Sequence, residues 1–134
     1  MIDIENELYA LVKARLDEEM PGVFTTQERP NGLPKQLPCL AFLEADNFTS
    51  AATIDSSGRQ KYADLTYTAT AYSNKVAGRK SEAKKIISIV DEIMFDMNFR
   101  RESSMPETPI NDGKIYVQAS RYVARTDGEN IIRI

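Results

Sequence analysis

The sequence has no histidine, no tryptophan and a single cysteine, Cys39. Without histidine, any reactive site lacks the commonest general base and the commonest metal ligand. One cysteine cannot form an internal disulfide, which favours a reducing, intracellular origin. No apolar run approaches the roughly 18 residues of a membrane span, so no membrane contact is expected. The acidic, amphipathic N-terminal stretch is unlike a signal peptide.

The composition is that of one soluble domain. The chain has 134 residues, of which 42% are hydrophobic and 28% are charged, with a net charge of −3. This length is sufficient for one hydrophobic core, so we expect a single domain over residues 1–134. The mild negative charge gives no reason to expect nucleic acid as the main partner.

Two stretches carry apolar residues at helical spacing. The first predicts a helix over residues 3–20, with Asp3 as its N-cap and Pro21-Gly22 ending it. The second predicts a helix over residues 78–97 with an unbroken apolar stripe. The stripe consists of Ala83, Ile86, Ile87, Val90, Ile93, Met94 and Met97.

The remaining segments predict strands and turns. Strands are expected at 23–28, 39–45, 61–73, near Phe99 and in 114–134, where Asp127-Gly128 marks a hairpin turn. Irregular loops are expected at 29–38 and 103–113, and a long hairpin arm at 47–59. Hairpin-length connections favour a mostly antiparallel sheet with both helices packed on one face, which is an α+β domain.

Two strand faces are polar and rich in tyrosine. They are either the wet side of a half-exposed sheet or part of a protein–protein interface, and composition does not choose between these. The faces consist of Thr66, Thr68, Thr70 and Tyr72, and of Tyr116, Gln118, Ser120 and Tyr122.

The stretch "YSNKVAGRKSEAKKI" joins a predicted strand to the second helix and looks at first like a phosphate-binding loop. A P-loop needs a glycine, four residues, then Gly-Lys-Ser or Gly-Lys-Thr. Here Ser73 occupies the first glycine position and Arg79 follows Gly78, so the motif is not a P-loop.

Charge is segregated along the chain. Residues 75–85 carry five cations and one anion, whereas the first helix carries six anions and two cations. Cations at a helix N-terminus oppose the helix macrodipole by roughly 0.3–1 kcal/mol each. The cations form either a solvated face or a patch for an acidic partner surface. One such surface is the first helix of another copy, and this pairing would suit head-to-tail contact.

Catalytic candidates are few. Glu44 and Asp46, two apart on a predicted strand, would share a face and are the nearest to a hydrolytic pair. Cys39 is expected to be a small buried hydrophobe. The acidic turns lack the ligand number of a calcium loop. We expect no metal and no cofactor.

Five segments, in this order, resemble the tail terminator (tail completion or minor tail) proteins of long-tailed bacteriophages. The likeness covers nearly the whole chain and is most specific over residues 67–86. The segments are "YALVKARLDEEMPGV", "LPCLAFLEADN", "YTATAYSNKVAGRKSEAKKI", "VDEIMFDMNFRR" and "INDGKIYVQASRYVA".

This resemblance implies a structural protein rather than an enzyme. Such proteins are small α+β subunits of a homo-hexameric ring at the head-proximal end of the tail. The ring ends tube polymerisation and offers a surface for joining the head. The implied partners are other copies of the chain, the major tail tube protein and the head–tail connector or neck proteins, with DNA passing through the lumen unbound. The implied location is the virion, after assembly in the host cytoplasm.

By the same analogy, the arm and the charged patches would form the contacts between subunits or with partners. The first helix faces either a neighbouring copy or, as an acidic wall, the DNA channel. Alternatives are another neck connector or stopper, or a monomeric ligand-binding or enzymatic domain that uses Glu44 and Asp46. The expected interface residues are Lys75, Arg79, Lys80, Phe48, Ile54, Arg59, Glu5, Asp17 and Glu18.

Overall fold

A computed structural model describes residues 2–49 and 62–134 of the chain. Within these ranges, two helices and six strands form an α+β fold, as the sequence predicts. Neither of these helices has the length and apolarity that crossing a bilayer requires. The elements are α1 (Glu5–Glu19), β1 (Phe24–Thr26), β2 (Cys39–Thr49), β3 (Ala63–Ser73), α2 (Arg79–Asp96), β4 (Arg100–Ile110), β5 (Ile115–Thr126) and β6 (Ile131–Ile132).

The strands lie in one sheet in the order β1-β2-β3-β5-β4, and β6 pairs with β5. The pairs are antiparallel, except that β1 runs parallel to β2. A parallel pair needs a long crossover, and residues 27–38 provide it. We call these residues the crossing segment. The mostly antiparallel sheet is therefore confirmed.

Both helices pack on one face of the sheet, as predicted. The stripe on α2 is buried against β3, and Leu8, Val12 and Leu16 bring α1 into the same core. At the centre, the Tyr67 ring meets Phe42 and Phe99 edge-on, with centroid distances of 5.5 and 5.6 Å. Such edge-to-face pairs add about 0.5–1.5 kcal/mol each beyond burial.

The other face of the sheet is half covered. Cys39, Tyr72 and Val117 form a smaller core there, against which Leu37 of the crossing segment packs. An ion pair joins Arg29 of this segment to Glu107 on β4. The ion pair therefore links the crossing segment to β4, which lies four strand spacings, or roughly 19 Å, from β1.

The predicted start and N-cap of the first helix need correction. The first helix begins at Glu5, so its N-cap position is residue 4 and Asp3 lies one position before it. Its Oδ1 atom instead accepts the Glu5 N–H at 3.0 Å, while Ile4 occupies the cap position without a side-chain bond. The second helix runs over 79–96, close to its prediction, with Gly78 as N-cap.

The predicted loop at 103–113 is wrong over most of its length. Residues 100–110 form β4, and its pairing with β5 includes Pro106 opposite Gln118. Proline lacks the N–H of a central strand, but an edge strand tolerates it where that N–H would face solvent. β4 is such an edge.

One of the two polar strand faces lies under the helices. Gln118, Ser120 and Tyr122 are buried, and the Tyr122 hydroxyl donates a hydrogen bond to Asp91 on α2. Neither interpretation of this face, as a wet side or as an interface, is correct. The Thr66/Thr68/Thr70/Tyr72 face does point away from the helices, although Thr70 and Tyr72 are buried there.

Candidate interaction surfaces

The turn between β3 and α2 is held by one hydroxyl. Ser73 Oγ donates to Glu82 Oε1 at 2.6 Å and accepts the Lys75 N–H at 3.3 Å. Gly78 has φ +97°, a left-handed conformation that side chains rarely adopt, and this lets the chain enter the helix directly. The turn leaves Val76 96% exposed.

The cations of this region form no ion pair with any residue that the structure describes. Within the part of the chain that the structure describes, Lys75, Arg79 and Lys80 have no carboxylate within 4.0 Å. The same holds for Lys84 and Lys85 one turn further along. Elsewhere, cations such as Arg101 and Arg125 form ion pairs with Asp91 and Asp64. We call Lys75, Val76, Arg79 and Lys80 the basic end.

A cleft of about 340 Å³ adjoins the basic end. Its described lining includes the cations Arg79 and Lys114 and no acidic residue, and Leu33 at its mouth is 59% exposed. The chemistry of this end therefore suits a partner surface that is both acidic and apolar.

A second surface lies between the two helices at the opposite end of α2. It is a groove of about 330 Å³ whose apolar lining is bounded by Glu18 and Asp96. Arg15 also borders it, but its guanidinium is engaged by Glu19 at 2.7 Å and Glu92 at 3.2 Å. We call this surface the acidic groove. Its apolar residues are Leu11, Ala14, Ile93 and Met97.

The three acidic interface residues predicted on α1 have different surroundings. Glu5 Oε2 accepts the backbone N–H of Glu44 at 2.7 Å, so this carboxylate covers the edge of β2. Asp17 pairs with Lys13 at 2.9 Å. Glu18 is exposed and has no ion-pair partner among the described residues, which leaves its charge available to a partner.

Of the three interface residues predicted on the arm, the structure describes only Phe48. Phe48, near the end of β2, is 63% exposed on the uncovered face, and Met105 of β4 is 55% exposed. Arg121 lies between Asp46 and Glu102, with N–O distances of 3.9 and 3.5 Å. Ile54 and Arg59, and most of the predicted arm, lie outside the described residues.

The prediction that Glu44 and Asp46 share a face is wrong. A β-bulge separates them, so that Glu44 lies opposite Tyr67 and Asp46 opposite Thr66, on opposite faces of the sheet. Glu44 faces α1 and accepts a hydrogen bond from Asn47 at 3.1 Å, while Asp46 faces Arg121. The two carboxylates cannot act as a pair.

Two groups have raised pKa values with clear causes. Burial, together with the nearby charges of Asp3 and Glu5, raises the pKa of Glu44, and the Asn47 hydrogen bond opposes this. Burial raises the pKa of the Cys39 thiol to about 11, which agrees with its predicted role as a buried hydrophobe. Over residues 2–49 and 62–134, no cluster of three or more possible ligands could hold a metal ion.

Sequence reasoning identified the cations of the basic end but missed the apolar parts of both surfaces. Val76 is an isolated apolar residue among charges, and its exposure depends on the geometry of the turn. Leu11 shares the helical spacing of the buried Leu8, Val12 and Leu16, yet it is 47% exposed at the acidic groove. Only the relative position of the helices reveals that groove.

Comparison with known proteins finds no family model that matches this chain and no significant match among curated proteins.

Proposed function

We propose that this chain is a tail terminator of a long-tailed bacteriophage. The observation that carries the proposal is the resemblance of residues 67–86, "YTATAYSNKVAGRKSEAKKI", to that family. In the structure this stretch comprises most of β3, the turn that exposes Val76 and the first half of α2. The most family-like sequence therefore includes the basic end.

The surfaces of the domain are consistent with a protein that functions by assembly. The basic end and the acidic groove carry opposite charges, and each combines charge with exposed apolar groups. Interfaces commonly combine an apolar centre with a charged rim that selects the partner. The subunit would perform no reaction and would act through contacts with other copies and with neighbouring proteins.

In the proposed role, copies of the chain form a six-membered ring on the head-proximal end of the tail tube. The ring covers the surface to which the next tube subunit would add, which ends polymerisation. Its other side joins the neck proteins of the head. DNA passes through the lumen without specific binding, and acidic side chains facing it would repel phosphate. The protein would reside in the virion after assembly in the host cytoplasm.

A deletion of the gene in its phage tests the proposal by electron microscopy of the resulting particles. We expect overlong tail tubes and unattached heads, and we expect added purified protein to restore joining. Tails of normal length beside unattached heads would contradict a terminator and indicate a neck connector or stopper. Normal, infectious virions would contradict both roles.

A further inference from the structure

The charges at the two ends of α2 are arranged against its dipole. The basic end lies at the N-terminus, where the helix favours anions, and Asp96 lies at the C-terminus, where it favours cations. Glu82 in the first turn partly offsets the first effect, and Arg133, which donates to the Phe95 carbonyl at 2.6 Å, partly offsets the second. Helix stability does not account for this placement.

The two ends also match in shape and polarity. Val76 projects from the basic end with almost its whole side chain in solvent. The acidic groove provides an apolar lining, and the carboxylates of Glu18 and Asp96 lie at its border. An exposed apolar side chain between cations is complementary to an apolar groove between anions.

A single copy cannot join its own two surfaces. They lie at opposite ends of α2, whose 18 residues place its ends roughly 26 Å apart along the axis. The helix is rigid, and its inner side is buried in the core. A basic end that docks in the acidic groove therefore belongs to a second copy of this chain.

We infer that the basic end of one copy docks in the acidic groove of the next copy, with Val76 on the apolar lining and Lys75 and Arg79 facing Glu18 and Asp96. This inference rests on the proposed function, which requires contacts between copies, and it names the surfaces that form them. Because the two surfaces differ, the contact is head-to-tail, and repeating it gives a ring if the rotation closes.

Charge exchange between the two surfaces tests the inference. One variant carries Lys75→Glu and Arg79→Glu, and the other carries Glu18→Lys and Asp96→Lys. We expect each variant alone to associate at least about tenfold more weakly than the wild type in sedimentation, since like charges then meet. An equimolar mixture should recover assembly, because every contact between unlike variants again joins opposite charges.

A matched control reverses the same number of charges elsewhere on α2. Lys84→Glu with Lys85→Glu changes the net charge as much as the basic-end variant but lies outside the proposed contact. It should associate like the wild type. Val76→Asp adds an independent probe of the apolar part: it should leave the free energy of unfolding unchanged, because the side chain is exposed, and weaken association at least about tenfold.

Disulfide trapping detects the contact even where association is too weak for sedimentation. A chain with Val76→Cys and Leu11→Cys should form a ladder of covalent oligomers on mild oxidation, whereas either single variant should give at most dimers. The native Cys39 is buried and should not react. A chain with Val76→Cys and Met105→Cys, whose second cysteine is exposed on the sheet face opposite the helices, controls for random collision and should give no ladder.

Three results would overturn the inference: no ladder from the Val76→Cys and Leu11→Cys chain, no recovery in the mixture, or assembly that stops at two copies. The last would indicate a closed, reciprocal dimer. The proposed function fails separately, since it is judged by tail length in particles. Overlong tails without the protein, combined with absent trapping, would retain the terminator role and reject these contact surfaces.

Discussion

The hydroxyl of Ser73 at the end of β3 donates a hydrogen bond to the Glu82 carboxylate in the first turn of α2, at 2.6 Å. Ser73 is fully buried, and its oxygen also accepts the Lys75 N–H. One side chain thus links the strand, the turn and the helix. This link therefore helps to hold the turn that exposes Val76.

Removal of that link should destabilise the domain. We expect Ser73→Ala to lower the free energy of unfolding by about 1.5–3 kcal/mol, the range for a hydrogen bond to a charged group. Glu82→Gln keeps an acceptor oxygen in place and should cost less. Urea denaturation of both variants measures the difference. Equal losses, or a loss below about 0.5 kcal/mol for Ser73→Ala, would contradict the role given to this bond.

The Cys39 thiol should be unreactive in the folded protein. Its side chain is fully buried and burial raises its pKa to about 11, so little thiolate exists at pH 8 and reagents cannot reach it. We expect a thiol reagent to label the protein at pH 8 only after denaturation. Rapid labelling of the native protein, at a rate independent of denaturant, would show that the smaller core opens locally.

Glu44 should make stability depend on pH. Its pKa is raised above the ordinary value of 4.5, so the folded state holds the proton more tightly than the unfolded chain. Stability should therefore fall as pH rises from 4.5 through the folded pKa, and the full penalty persists above it. Since the carboxylate is only partly buried and solvent screens it, we expect only a few tenths of a kcal/mol.

Glu44→Gln removes this titration while retaining an oxygen for Asn47. The variant should be at least as stable as the wild type at pH 7, and its stability should change less between pH 4.5 and 7. Denaturation at several pH values provides the comparison. The opposite result would be a variant that loses stability relative to the wild type as pH rises from 4.5 to 7. It would mean that folding lowers the pKa of Glu44 instead of raising it.

The prolines of β4 should limit unwanted association. β4 is a long edge strand with a mostly exposed surface, and such edges pair with other chains unless something interrupts them. We expect Pro106→Thr with Pro109→Thr to fold and to aggregate faster on heating, as light scattering would record. A pair of exposed substitutions away from the edge and outside the proposed contact, Lys84→Gln with Lys85→Gln, is the control. Unchanged aggregation would show that the prolines do not protect this edge.

The sequence predicted the parts of the fold that depend on local periodicity. The stripe of α2, the alternation in β3 and the turn at Asp127-Gly128 all appear as expected, because each depends on residues that are close in sequence. β4 was missed because its prolines indicate a loop unless the strand is known to lie at an edge. Edge position is a property of the assembled sheet.

The candidate surfaces were only partly predictable, because some of their features also depend on the assembled fold. The excess of cations at 75–85 was evident from the sequence, whereas the acidic groove exists only where α1 meets α2. A bulge after Glu44 reversed the expected alternation and separated Glu44 from Asp46. One inserted residue in a strand is enough to defeat an inference from spacing, since it moves every later side chain to the other face.

The crossing segment connects the two edges of the sheet by a contact that is additional to the hydrogen bonds between strands. The Arg29 side chain, three residues after β1, pairs with Glu107 on β4 and so links the crossing segment to the far edge of the sheet. Its anchor is ionic and partly exposed, and concentrated salt would loosen it while leaving the apolar layer beneath the helices intact. We therefore expect ionic strength to affect how firmly the crossing segment is held to β4 and to leave the helix-covered core unchanged.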